Sequence, residues 1–166
     1  GAMPVSLMLL ASAGLGAIAT YIPLMYLVYT ISFALFAIPF GCLSDRFGDR
    51  RVLIGGFLAA IVSYAVFAAT AHPVGIVAGF ALFGLYSAMT DGIERAFAAK
   101  LLAADTMASG QGFLGAAIGL SSLLAGLVGG ALWTVWGSGA AFIYGAVMMG
   151  IGLAVFVVLN GERKGI

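Results

Sequence analysis

The chain has 166 residues, 63% of them hydrophobic and 8% charged, with seven basic and six acidic side chains and a formal net charge of +1. A soluble domain carries roughly 25% charged residues, so this composition excludes a globular protein bathed in water, and its apolar content excludes a disordered chain. The near-neutral charge excludes a strongly basic nucleic-acid binder, so no nucleic-acid partner is expected, and leaves an integral membrane protein with membrane lipid as its surroundings.

A spanning helix needs about 20 apolar residues to cross ~30 Å of hydrocarbon. Residues 1–3, Gly1-Ala2-Met3, read as an expression scar and are set aside. The run 4–16 covers only about 20 Å at 1.5 Å per residue, less than a full crossing. It has no positive lead-in, which argues against a signal peptide. Full-length apolar runs follow at 20–41, 52–71, 74–99, 109–134 and 139–160, with a tail at 161–166. None alternates apolar with polar residues, so barrel strands are excluded. The expected fold is all-α: five full transmembrane helices after one short N-terminal membrane segment.

The basic residues set the orientation. Arg46, Arg50 and Arg51 follow the first full run, Arg95 and Lys100 end the third, and Arg163 and Lys164 lie in the tail. The opposite connections, at His72-Pro73 and Gly137-Ser138-Gly139, carry no Lys or Arg. The positive-inside rule makes the basic side cytoplasmic, C-terminus included, with Trp133 and Trp136 at the outer boundary. The expected location is the plasma (inner) membrane.

The strongest local signal is the stretch from Gly41 through Leu43, Ser44, Asp45, Arg46, Gly48, Asp49, Arg50 and Arg51 to Leu53, a tight charged turn between two apolar helices. Gly41 and Gly48 permit close approach and positive φ, and Asp45 suits a helix N-terminus. The stretch resembles the loop signature of the major facilitator superfamily, G-x-L-[AS]-D-[RK]-x-G-[RK]-[RK]-x-x-L; Asp49 departs from it where the family usually has a basic residue. Further on, Thr90, Asp91, Gly92, Glu94, Arg95 and Ala96 look like the end of that family's tenth helix. Gly110 and Gly112 then open a glycine-rich helix, as the eleventh does. The resemblance runs from about Ser6 to Leu159 and implies a C-terminal half, from a partial seventh helix to the twelfth. It implies three-helix repeats, a truncated triplet over 4–71 and a second over 74–160.

Three helix faces carry the candidate residues. In the first full run Tyr26, Tyr29, Phe33, Phe36 and Phe40 stay within about 80° of arc. Packing or lipid contact is the preferred reading of the stripe, and Tyr26, Tyr29 and Thr30 are its substrate candidates. In 74–99, Phe83, Tyr86, Ser87, Thr90 and Glu94 share a face, which the family resemblance points toward a central cavity. Asp91, Glu94 and Arg95 are preferred as a structural charge network locking the turn that carries Asp45, Arg46 and Arg50, over a proton-coupling role. In 109–134, Gly112, Gly115, Gly119, Gly126 and Gly130 form a small-residue seam for close helix packing. The runs 52–71 and 139–160, with few polar groups beyond Ser63, Tyr64 and Tyr144, read as peripheral and lipid-facing.

Remaining chemistry is thin. Cys42 is the single cysteine, so no internal disulfide forms. No metal-ligand cluster, phosphate loop or catalytic triad is visible, so no metal, no cofactor and no enzyme activity are expected. The resemblance implies secondary transport of a small-molecule substrate by alternating access. The chain would be a half-unit completed by a missing N-terminal half or by a homodimer. The alternative is a non-transporting membrane fragment or an assembly or scaffold module.

Overall fold

A computed structural model describes Met8 and residues 22–70, 72–101 and 106–161. The expectations for the scar at 1–3, for the tail with Arg163 and Lys164, and for the segment 4–16 apart from Met8 lie outside the described residues. Met8 itself is helical and fully buried.

Five helices follow in order: α1 (Ile22–Phe47), α2 (Asp49–Ala69), α3 (Pro73–Leu101), α4 (Met107–Trp136) and α5 (Ser138–Gly161). All are long and apolar enough to cross a membrane. They match the five apolar runs because backbone N–H and C=O groups in hydrocarbon must pair within the segment, and a helix does this with its own residues.

The charged turn is tighter than expected. Most of the signature, Gly41 to Phe47, is helical and forms the end of α1. Gly48 alone breaks the helix, at φ 91°, with its N–H on the Ser44 carbonyl at 2.8 Å. Asp49 then opens α2, where a carboxylate suits the positive end of the helix dipole. The α4–α5 junction uses the same device at the opposite end of the bundle: Gly137 has φ 85° and donates to the Trp133 carbonyl at 2.9 Å. Between α2 and α3, Thr70 is extended and its hydroxyl accepts from the His72 N–H at 3.1 Å. Pro73 then starts α3 at a position where a missing N–H costs nothing.

Helix α3 is the centre of the bundle. It packs along α2 and α1, while α5 packs along α2 and, to a smaller extent, α4. In α3 56% of the most apolar stretch is buried, against 6% in α1 and in α4. Helix α2 is therefore not peripheral, as its composition suggested, but sandwiched between α3 and α5. Glycines make this possible. A Cβ on Gly56 would meet the Thr90 side chain at 2.8 Å, and one on Gly79 the Phe67 ring at 2.7 Å. Close backbones let Ser63 Oγ donate to the Gly79 carbonyl at 2.9 Å. The main core gathers Tyr64, Phe67, Phe80, Phe83 and Phe142, with Phe67 stacked on Phe142 at 5.1 Å and edge-on to Phe80 at 5.2 Å. A second cluster, Val52, Leu53 and Ile93, lies nearer the charged end.

Candidate functional site

Helix α1 crosses α3 at Gly84, where a Cβ would lie 2.5 Å from the Tyr29 carbonyl oxygen and 2.8 Å from Ser32 Cβ. Only glycine admits this approach. The contact carries Tyr29 onto α3, and its hydroxyl donates to Ser87 Oγ at 3.2 Å. Around that bond the rings form a chain: Tyr26 to Tyr29 at 5.8 Å, Tyr29 to Phe83 at 5.9 Å, and Phe83 to Tyr86 at 5.2 Å.

The candidates split by exposure. Tyr26 is 51% exposed, Thr30 is exposed and Tyr29 is half-buried. Phe83, Tyr86, Ser87 and Thr90 are buried beneath them, so this α3 face forms the interior of the bundle rather than an open wall. Two hydroxyls are satisfied at home: Thr30 Oγ1 donates to the Tyr26 carbonyl and Thr90 Oγ1 to the Tyr86 carbonyl, each at 2.9 Å. What remains presented outward is a patch of two tyrosines on α1, supported from below by Ser87 and Phe83.

At the charged end a link between the turn and α3 runs through Asp49 and Lys100. Asp49 is buried and accepts from Ser44 Oγ at 2.5 Å and from Lys100 Nζ at 2.6 Å. Asp45 and Arg46 point outward, and the Arg46 guanidinium lies 5.7 Å from the Phe47 ring centre. Arg50 reaches α5, donating to the Val157 carbonyl at 3.2 Å. Asp91 and Arg95 are exposed and Glu94 is half-buried. The residue that departs from the family signature thus holds the turn. The sequence signals were an acid directly after Gly48, a hydroxyl five residues before it, and a lysine ending α3.

The glycine seam on α4 is open at four of its positions. A Cβ on Gly112, Gly115, Gly119 or Gly130 would meet nothing within 4 Å. Among the described residues, close helix approaches are made by Gly56, Gly79 and Gly84. Among the described residues no group of three His, Cys, Asp or Glu is placed to hold a metal ion.

The profile of the Major Facilitator Superfamily matches residues 1–165. The chain is 34% identical to an uncharacterized transporter of the major facilitator type from Methanocaldococcus jannaschii, over 75% of this chain and 31% of that protein. It is 31% identical to the class C tetracycline resistance protein of Escherichia coli, over 89% of this chain and 38% of the relative. It is also 31% identical to the inner membrane transport protein YajR of Escherichia coli, over 81% and 30% respectively. The chain spans about a third of the length of these relatives. No solved structure matches it significantly.

Proposed function

The chain belongs to the major facilitator superfamily, and from that premise we propose that it forms one bundle, the C-terminal half, of a secondary transporter for a small molecule. In this reading the charged end faces the cytoplasm of an inner membrane, and two bundles rock about a site between them. The observation that carries it is the outward patch of Tyr26 and Tyr29 on α1, the helix that, with α4, is least covered by its own bundle. A face with two phenol hydroxyls and aromatic walls suits a molecule with an apolar body and a hydrogen-bonding group.

The second wall comes from the other half of a longer polypeptide or from a second copy of this chain. The uncovered small-residue seam on α4 supports either, since backbones approach closely where side chains are small. The single-glycine junctions at Gly48 and Gly137 support three-helix repeats of inverted topology, because they join the second and third helix of each proposed triplet at opposite ends.

Flux in proteoliposomes tests the reading. The intact protein carrying this chain, reconstituted under a proton gradient, should move a small molecule against its concentration gradient. A tetracycline is the first compound to try, given the relative from Escherichia coli. Absence of gradient-driven movement across a panel of organic cations, sugars and acids would overturn it. Cross-linking and mass measurement in lipid separate one long chain from a dimer.

A further inference from the structure

Near the charged end, a cavity of about 240 Å3 opens between four helices of the bundle. Its walls are hydrocarbon: Leu53 and Phe57 of α2, Phe97 of α3, Leu114 of α4 and Phe156 of α5, with Glu94 adding almost no polar surface. A cavity of about 150 Å3 with such walls stays dry and binds benzene, so this one suits a larger hydrocarbon segment and not water. Its origin lies in the packing. Helix α4 rests mainly on α5 and touches α3 only lightly. From Gly112 to Ser121, Leu114 is the single residue of α4 that is not exposed. This half of α4 therefore stands off from the bundle and leaves the cavity reachable from the side.

Arg50 stands at the charged rim of the same space. At 100° per residue, Arg50, Leu53 and Phe57 lie within about 60° of arc on α2, and at 1.5 Å per residue Leu53 is ~4.5 Å and Phe57 ~10.5 Å deeper along the helix. On the other side, the Arg50 guanidinium donates to the Val157 carbonyl of α5 at 3.2 Å, one residue from Phe156 in the cavity wall. Its position between α2 and α5 is thus fixed from both helices. The surroundings are basic. Around the α1–α2 turn, Arg46, Arg50, Arg51 and Lys100 outnumber Asp45 and Asp49.

A dry hydrocarbon slot beneath a basic rim, among helices long and apolar enough to cross a bilayer, matches an amphiphile with an anionic head. We propose that this cavity is a binding site for an anionic phospholipid, whose phosphate meets the Arg50 guanidinium while part of one acyl chain lies among Phe57, Leu114 and Phe156. The planar guanidinium fork fits phosphate oxygens, and basic pockets between membrane helices hold acidic head groups. The chain gains little by leaving other chains, because lipid tails are as apolar as the walls. It does fill a space whose lining otherwise lacks contacts. Selectivity therefore rests on the phosphate contact. The site lies within one bundle, apart from the Tyr26–Tyr29 patch, and does not depend on transport.

The test uses the intact protein carrying this chain in phosphatidylcholine nanodiscs. A trace of phosphatidylglycerol with a photoactivatable diazirine at mid-chain is added, and labelled residues are mapped by peptide mass spectrometry. Labelling should fall on Phe57, Leu114, Phe156 and their neighbours, and the same probe built on phosphatidylcholine should label them far less. Arg50→Gln keeps a donor for the Val157 carbonyl but removes the charge. It should lower labelling of these residues about tenfold, the scale of a charged hydrogen bond, whereas Arg50→Lys should retain most of it. Leu114→Trp, which fills the cavity, should abolish it, with thermal unfolding confirming that each variant is folded. Equal labelling by the two probes, as unselective bilayer chains would give, overturns the proposal. So does labelling that survives Arg50→Gln or Leu114→Trp, or that misses the cavity residues.

Discussion

Lys100 and Asp49 meet at 2.6 Å across 51 residues of sequence, joining the last turn of α3 to the first residue of α2. The two ends of this bond differ in environment. The Asp49 side chain is 8% exposed and that of Lys100 61%. Asp49 has a second donor in buried Ser44, whereas the Lys100 side chain is largely exposed.

That asymmetry sets the expected cost of breaking the link. Lys100→Met removes a partner that water replaces, so the loss should stay below about 1 kcal/mol. Asp49→Ala leaves the Ser44 hydroxyl without its acceptor and strips the α2 N-terminus of its carboxylate, so it should cost about 1–3 kcal/mol. Unfolding of each variant in detergent by denaturant titration checks the order. Equal losses would show that the lysine, not the serine and the helix end, anchors Asp49.

Glycines on α3 and α4 should respond in opposite ways. Gly84→Ala places a methyl group against the α1 backbone, which cannot yield as a side chain tip would, and should cost about 1–3 kcal/mol. Gly119→Ala meets only open space within the chain and should be stability-neutral or slightly favourable, since alanine is the better helix former by about 1 kcal/mol. If a second bundle seats on the α4 seam, Gly119→Leu should impair association while leaving the unfolding of this bundle unchanged. Cross-linking yield in lipid distinguishes the two effects.

The single-residue junctions make a further prediction. Gly48 and Gly137 sit at φ 91° and 85°, where an L side chain strains the backbone although space is open around both. Substitution by alanine should cost about 1–2 kcal/mol at each, and by D-alanine, introduced by semisynthesis, much less. Equal penalties for the two alanine enantiomers would place the cause in packing rather than in backbone conformation.

The helices were legible in the sequence because membrane thickness sets their length and charges mark their ends. Their neighbours were not. In water an apolar residue signals a core, but in lipid both the core and the outer face are apolar. Leu58 and Val62, exposed, and Leu53 and Tyr64, buried, all lie on α2 with nothing in their residue type to separate them. The same ambiguity hid Gly56, Gly79 and Gly84, whose close approaches bring α1, α2 and α3 together. At the charged end, Asp45 drew attention through the family signature, while the side chain that engages Ser44 and Lys100 stood at the position where the signature fails.

Transport measurements should single out Tyr29. Tyr86→Ala, the obvious substitution on the α3 face, empties a buried aromatic position and should cost about 3–5 kcal/mol, so its loss of flux would say little about substrate contact. Tyr29→Phe keeps the ring against Phe83 and removes only the hydroxyl that donates to Ser87, at a half-buried site. Its stability cost should be about 0.5–1.5 kcal/mol. Ser87→Ala removes the same bond from below but leaves the phenol in place and free to bond elsewhere. If the Tyr29 hydroxyl contacts substrate, Tyr29→Phe should raise KM by about tenfold, the scale of one lost polar contact, while Ser87→Ala changes it little. If instead the bond serves only to hold α1 on α3, the two variants should lower kcat together and leave KM alone. Initial rates of uptake in proteoliposomes, taken over a range of substrate concentrations, decide between these outcomes.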